Sequence, residues 1–200
     1  VIPIIQGRFN NKKIDIYMID IAETKWSKSK ITKFNDKINI HGITKDIYQQ
    51  MLPNNSLDLI ISFSCLHWLN EIPFNNKELK DIYSWSYLNT RQKEILREYL
   101  DEQLSIFLNY RYKELRKQGQ IIITFDGEVK DENHQYQGPT DYLSQILVDL
   151  NLKEGVENLF IPTGPRRLEN VVRCVNNSSF VVGDIIIKKV DCPIWEKKVK

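Results

Sequence analysis

The densest group of side chains able to do chemistry lies at residues 62–69, which read Ser-Phe-Ser-Cys-Leu-His-Trp-Leu. Tryptophan donates one hydrogen bond from its indole N–H and offers a large apolar face, while histidine can both donate and accept. His67 and Trp68 therefore predict a site that holds a carboxylate attached to an apolar body. Ordinary packing at a strand end is the alternative interpretation. Cys65 has no basic neighbour in sequence and is interpreted as a small buried hydrophobe.

A second candidate is Asp20, which ends the β-branched and aromatic run that starts at Ile14. Ligands of open α/β sheets bind at the carboxyl ends of strands, where an acid commonly accepts hydrogen bonds from ribose hydroxyls. A helix N-cap or a solvated loop acid is the alternative role. The closest glycines are Gly119 and Gly127, so neither G-x-G-x-x-G nor a P-loop is present. The sequence thus offers no cradle for a phosphate-bearing nucleotide.

Hydrophobic periodicity places these residues in an α/β domain. Short β-branched or apolar runs predict strands, and apolar residues three or four apart with charges between them predict helices. The predicted strands are 14–20, 38–43, 57–64, 121–125 and 180–188, and the predicted helices are 90–117, 139–152 and 167–176. Thr90 is expected to cap the long helix and Gly119 to end it. The third strand is nearly all apolar, which favours a central parallel strand covered on both faces.

Charge and composition exclude several classes of function. The 28 Lys and Arg residues nearly balance the 26 Asp and Glu residues, and no single-signed tail marks a nucleic-acid arm or a membrane anchor. The three cysteines and three histidines are scattered and build neither a disulfide framework nor a zinc pattern. No apolar run reaches the roughly 18 residues of a spanning helix. We expect a soluble, cytoplasmic protein without nucleic-acid or membrane partners.

Two ordered blocks of sequence resemble the SABATH family, the S-adenosylmethionine-dependent methyltransferases of salicylate, jasmonate and related carboxylic acids. The first block runs from Met51 to Pro73 and contains Leu-His-Trp-Leu, the core of the family's usual Ser-Leu-His-Trp-Leu. The second runs from Tyr99 through Gly119 to Thr124 and resembles the long helix before the family's fifth strand. The resemblance implies a class I methyltransferase fold, which is Rossmann-like, with a mostly parallel sheet and helices on both faces.

The resemblance extends over nearly the whole chain and implies a cofactor, S-adenosyl-L-methionine. Asp20 corresponds to the acid that holds the cofactor ribose, and Ile21 corresponds to the apolar residue that lies against the adenine. Asp46 and Ile47 stand where the family has a Ser-Phe pair near the adenine. These four residues are the expected cofactor-binding set.

The resemblance also implies an acceptor site for a small carboxylic acid, lined by Ser64, His67 and Trp68. Trp68 would donate to the substrate carboxylate, and Ser64 replaces a tyrosine common in the plant enzymes, which argues against an aromatic acid such as salicylate. A carboxylate is already ionised near neutral pH and attacks a sulfonium methyl group without prior loss of a proton. We therefore predict no catalytic acid or base, and catalysis by alignment and exclusion of water.

A metal site is not expected. Asp81 and Glu157 lie near the family's magnesium positions, but Phe160 stands where the family has an asparagine ligand.

The order of strands, compared with that of the family, predicts that residues 1–200 form a single methyltransferase-like domain incomplete at both ends. The first strand, with its cofactor loop, and the last strand are expected outside this chain. Exposed sheet edges at those places would favour a homodimer. The preferred function is methyl transfer to the carboxylate of a small acid. The alternative is a degenerate, inactive methyltransferase-like domain that serves as an interaction or structural module.

Overall fold

The computed structural model describes residues 12–20, 37–75, 78–79, 84–128, 146–147, 149–150 and 160–188. Within these ranges three strands come first, followed by a long helix, a fourth strand and a second helix, a mixture of elements that belongs to the α/β class. The elements are β1 (Ile14–Asp20), β2 (Ile38–Thr44), β3 (Leu57–Phe63), α1 (Thr90–Glu114), β4 (Leu115–Thr124) and α2 (Leu168–Asn176), with a short 3-10 turn at Trp85–Tyr87. The first three predicted strands and the last predicted helix are confirmed to within about one residue at each end.

β1 and β2 form a parallel pair that runs in register from Ile14 beside Ile38 to Asp20 beside Thr44. The β-branched residues of both strands suit the pleated, half-buried surface of a sheet. Because the two strands are parallel and end in register, their carboxyl ends lie side by side. This arrangement brings residues 20 and 44–46 to one edge of the sheet.

β3 and β4 form a second parallel pair, and β4 begins earlier than predicted. Its register shifts near its start, where Leu57 lies beside Leu115 but Leu59 lies beside Gln120. Within the extra segment, a Cβ atom on Gly119 would lie 2.8 Å from Leu115 Cδ2 and 2.9 Å from the Arg116 carbonyl oxygen. Gly119 therefore permits the irregular backbone at the start of β4. The prediction that it ends the long helix is wrong.

The long helix α1 has different ends from those predicted. Its N-cap is Asn89, whose side chain accepts from the Gln92 N–H at 2.9 Å, while the Gln92 side chain accepts from the Asn89 N–H at 3.0 Å. This reciprocal pair is a capping box, so the expectation that Thr90 caps the helix is wrong. The helix ends at Glu114, because Leu115 has extended backbone angles (φ −72°, ψ 140°) and starts β4.

One face of the β3–β4 sheet packs against α1. Leu104, Phe107 and Leu108 of the helix are at most 2% exposed and contact Ile121 and Ile123 of β4. Complete burial of a side chain of this size contributes about 1.5–3 kcal/mol. The contact fixes α1 across the strands whose ends carry the candidate site.

The opposite face of the same sheet is exposed. Leu59, Ile61 and Phe63 of β3, with Ile122 of β4, are between 39% and 60% exposed. The apolar composition of β3 predicts cover on both faces, and the described part of the chain covers one of them.

The C-terminal part of the described chain departs furthest from prediction. Residues 181–188 form no strand, and Val181, Ile186 and Ile187 are 74% or more exposed. The predicted strand 180–188 is therefore wrong, because β-branched residues form a strand only where a neighbour completes the hydrogen-bond ladder. The predicted helix 139–152 lies largely outside the described residues. In the part of the chain that is described, no helix has the length and apolar character needed to cross a membrane.

Candidate functional site

Asp20 and Asp46 come from separate strands and lie at the same edge of the β1–β2 sheet. Asp20 ends β1 beside Thr44, which ends β2, and the Lys45 N–H donates to the Asp20 carbonyl at 2.8 Å. Asp46 is the next residue along the chain. The structure thus brings together two of the four predicted cofactor residues at the position where α/β sheets bind ligands. Ile21, also predicted to bind the cofactor, lies outside the described residues.

Asp46 shapes the turn that follows β2. Its Oδ1 accepts from the Tyr48 N–H at 2.8 Å, in the local side-chain turn that aspartate favours. The turn carries Ile47, which is partly buried and packs against a cluster that includes Tyr48, Leu66 and Leu104. Asp46 and Ile47 are therefore fixed in position relative to the end of β2.

The same turn is held from α1 by a buried ion pair that the sequence did not reveal. Arg111 donates to the carbonyls of Ile47 and Gln49, each at 2.7 Å, and its Nε donates to Glu114 Oε2 at 2.9 Å. Desolvation lowers the pKa of Arg111, and the neighbouring Glu114 carboxylate opposes this effect. The available signal was a charged pair three residues apart on the apolar face of a helix, where a charge demands a partner.

Ser64 begins the loop that leaves β3. Its backbone has a left-handed φ of 46°, and its N–H donates to the carbonyl of Thr124 at 2.9 Å. The neighbouring Ser62 is buried and its hydroxyl lies 2.9 Å from the Cys65 thiol. Cys65 packs against the apolar cluster but is only partly buried, whereas the sequence predicts a buried side chain. This sharp exit sends the chain from β3 directly into His67 and Trp68.

His67 and Trp68 lie together at the end of this loop, with ring centroids 5.7 Å apart. The His67 Nδ1 atom is buried and has no hydrogen-bond partner among the described residues, although its ring is only half-buried. Desolvation lowers the pKa of His67, Asp126 raises it, and Arg166 lowers it further. Trp68 is 48% exposed. The loop thus offers a neutral imidazole with an unsatisfied nitrogen next to a half-exposed indole.

The segment 160–166 holds this loop from the other side. The Leu69 N–H donates to the Pro162 carbonyl at 2.8 Å, and the Gly164 N–H donates to the His67 carbonyl at 3.0 Å. Trp68 and Thr163 form an isolated antiparallel bridge. Contacts between segments almost a hundred residues apart therefore define the main-chain path at the His-Trp pair.

The predicted absence of a metal remains a prediction for much of the relevant chain. Asp81 and Glu157 lie outside the described residues. Phe160 is 6% exposed and belongs to a core cluster with Leu96 and Leu100. Among the described residues, no group of three or more His, Cys, Asp or Glu side chains is placed to hold a metal ion.

Comparison with known proteins supplies a family. The sequence profile of the SAM-dependent carboxyl methyltransferases matches residues 17–160. Anthranilate O-methyltransferase 2 of Zea mays is 32% identical over 133 residues, which cover 62% of this chain and 35% of that protein. Inactive anthranilate O-methyltransferase 1 of Zea mays is 28% identical over 135 residues, with the same coverage of 62% and 35%. The chain therefore spans about a third of the length of these relatives.

A solved structure agrees with the fold. Loganic acid methyltransferase with SAH aligns with a TM-score of 0.69 at 17% identity, and the alignment covers 86% of this chain and 54% of that one. The predicted class I methyltransferase fold is thereby confirmed. Because the family profile matches well over half of its residues, the chain belongs to the SABATH family of S-adenosylmethionine-dependent carboxyl methyltransferases.

Proposed function

We propose that the protein containing this chain transfers a methyl group from S-adenosyl-L-methionine to the carboxylate of a small organic acid. The observation that carries the proposal is the His67–Trp68 pair at the exit of β3. A buried imidazole nitrogen to which no described residue makes a hydrogen bond lies beside an indole that is 48% exposed. Buried polar atoms in folded proteins are nearly always bonded, so an exception calls for a ligand or a water molecule.

The residues at the carboxyl edge of β1 and β2 fit the nucleoside part of the cofactor. The Asp20 carboxylate has the chemistry to accept from two ribose hydroxyls. Ile21, Asp46 and Ile47 are assigned to the adenine side. The bound cofactor supplies an electrophilic methyl group on a sulfonium sulfur.

His67, Trp68 and Ser64 are assigned to the acceptor. The Trp68 indole N–H donates to the acceptor carboxylate, and the apolar face of the ring packs against the body of the acid. His67 acts as a neutral hydrogen-bonding group, since desolvation keeps its pKa low. The small Ser64 side chain leaves room beside the pair that an aromatic residue would fill.

The chemistry asks little of the chain beyond positioning. The acceptor carboxylate is ionised near neutral pH, so no residue has to remove a proton from it. The contribution of the side chains is to hold the carboxylate in line with the methyl group and to exclude water. Loganic acid, named for the solved structure, is a suitable first acceptor for testing. Anthranilate, named for the Zea mays relatives, is an aromatic acid, and it tests the expectation from Ser64 that such acids are excluded.

The decisive experiment uses the full-length protein that carries this chain. Calorimetric titration with S-adenosylhomocysteine should show binding, and Asp20→Ala should weaken it on the order of 10- to 100-fold, as expected for a lost charged hydrogen bond. Asp58→Ala is the matched control, because Asp58 pairs with Arg116 on β3–β4. Unchanged affinity in Asp20→Ala would contradict the assignment of the ribose site.

Methyl transfer is measured separately, with labelled S-adenosyl-L-methionine and a panel of small acids. Formation of a methyl ester supports the function. Cofactor binding without transfer to any acid would instead favour an inactive, methyltransferase-like module.

We also propose that the protein is cytoplasmic and forms a homodimer. Three cysteines without a disulfide framework fit a reducing compartment. The exposed apolar side chains of β3 and β4 favour association with another copy. Sedimentation velocity over a hundredfold range of concentration tests the dimer, and a monomer throughout would contradict it.

A further inference from the structure

Three successive main-chain carbonyls at the His-Trp loop are each held by a different group. The Leu66 carbonyl accepts from Arg166, the His67 carbonyl accepts from the Gly164 N–H at 3.0 Å, and the Trp68 carbonyl accepts from the Tyr48 hydroxyl at 3.2 Å. Fixing consecutive peptide groups removes most of the freedom of the backbone that carries the two rings. The orientation of both rings therefore depends on residues far away in sequence.

Tyr48 reaches this loop from the turn after β2. It is 8% exposed and packs in the apolar cluster with Leu66 and Leu104. Desolvation raises the pKa of Tyr48 to about 12, so its hydroxyl keeps its proton and acts as a donor. Because Tyr48 also follows Asp46 and Ile47 in sequence, its side chain links the cofactor edge to the loop at the end of β3.

Arg166 contacts the loop from the segment 160–166. It is 3% exposed, and its Nε and Nη2 donate to the Leu66 carbonyl at 3.2 and 2.7 Å. Its Nη1 donates to the carbonyl of Leu100 on α1. Desolvation lowers the pKa of Arg166, and the nearby Tyr48 raises it. A buried cation satisfied by carbonyls of two elements ties the loop rigidly to the helix.

We propose that Tyr48 and Arg166 are positioning residues for the acceptor, which act by fixing the carbonyls of Trp68 and Leu66. The proposal rests on the proposed methyl transfer and adds to it the residues that set the acceptor geometry. Neither side chain has to touch the acid or the cofactor for this role. Alignment within a fraction of an ångström is what methyl transfer by positioning requires.

Tyr48→Phe is the informative variant, because it removes the hydroxyl and keeps both the ring and the main-chain N–H that bonds Asp46. In the full-length protein we expect kcat/KM for the acid to fall about tenfold. A loss of this size corresponds to the contribution of the single hydrogen bond that aligns the loop. The Kd for S-adenosylhomocysteine should change less than twofold. Tyr112→Phe, on the half-exposed Tyr112 that packs edge-on against Phe180, is the matched control and should change neither.

A second measurement does not depend on turnover. Labelling the tryptophans, four of which lie in this chain, with 5-fluorotryptophan gives fluorine resonances, and Trp68→Phe identifies the one from Trp68. Tyr48→Phe should shift or broaden this resonance and leave the other tryptophan resonances in place. Arg166→Lys, which keeps the charge, should also move it, provided that the variant retains cofactor affinity.

The outcomes separate the two proposals. An active wild type whose Trp68 resonance is unmoved in Tyr48→Phe overturns the positioning role alone. Equal losses of cofactor affinity and acceptor kcat/KM in Tyr48→Phe also overturn it, in favour of a general structural role. A wild type without methyl transfer removes the proposed function, and the positioning role with it.

Discussion

Arg111 and Glu114 form an ion pair in which neither side chain is exposed to solvent. Each partner also bonds main-chain groups in the segment 47–52 after β2. A guanidinium only donates hydrogen bonds and a carboxylate only accepts them, so the two side chains bond different groups. Arg111 donates to the carbonyls of Ile47 and Gln49, and Glu114 accepts from the N–H groups of Met51 and Leu52. The pair therefore satisfies both kinds of polar group in a turn that would otherwise lack partners.

Glu114→Gln should destabilise the fold by about 3–5 kcal/mol, because it leaves the Arg111 charge buried without its counter-charge. Urea unfolding followed by circular dichroism measures the change. Asp58→Asn is the control, since Asp58 and its partner Arg116 are 79% and 54% exposed. An exposed pair contributes about 0–1 kcal/mol, so a similar loss in both variants would contradict the buried role of Glu114.

His67 should make stability depend on pH. Desolvation holds its pKa in the folded state below the ordinary 6.5, so the unfolded chain binds the proton more readily than the folded one. The stability that comes from neutral His67 is complete above pH 6.5 and decreases as the pH falls through 6.5 toward the lowered pKa.

His67→Gln should flatten this slope in urea unfolding measured between pH 5 and 8. Asp126 raises the pKa of His67, whereas Arg166 lowers it. Asp126→Asn should therefore lower this pKa further and steepen the slope. A slope unchanged by His67→Gln would show that other groups carry the pH dependence.

The start of α1 allows a test of which residue caps the helix, the one that the sequence predicts or the one that makes the capping hydrogen bonds in the structure. The sequence favours Thr90 as the cap, whereas Asn89 and Gln92 make the capping box. Asn89→Ala should cost about 1 kcal/mol in urea unfolding, and Thr90→Ala should change stability by less than about 0.5 kcal/mol. A larger effect at Thr90 than at Asn89 would contradict the assignment.

The limits of β1 follow from the sequence because they depend on a local run of β-branched residues. The end of α1 does not, since Arg116 and Gly119 carry the signals of a helix C-terminus but lie in β4, which pairs with β3. Arg116 donates to both carboxylate oxygens of Asp58 at 2.9 Å. A long-range partner overrides a local preference of this kind. The prediction for residues 180–188 fails for the converse reason. Their composition favours a strand, but no described strand pairs with them, and composition alone does not form one.

The residues of the candidate site likewise fall into those that the sequence identifies and those that it does not. Asp20, His67 and Trp68 can be identified in the sequence because their own chemistry marks them at strand ends. Tyr48 and Arg166 cannot, because they act on main-chain carbonyls, which have the same chemistry at every residue. The Arg166 bonds to Leu66 span a sequence separation of 100, and no local pattern records such a contact. Supporting residues of this class become visible only in three dimensions.

Gly119 provides the sharpest test of the irregular start of β4. A Cβ atom there would lie 2.8 Å from the Leu115 side chain and 2.9 Å from the Arg116 carbonyl oxygen, and the main-chain contact is the harder one to relieve. Gly119→Ala should therefore destabilise by about 1–3 kcal/mol, as overpacking does. Gly183→Ala is the matched control, since a Cβ atom at Gly183 meets nothing within 4 Å, and it should change stability by about 0.5 kcal/mol or less. Urea unfolding of both variants compares them directly, and equal stability of Gly119→Ala and wild type would mean that β4 accepts a regular backbone at this point.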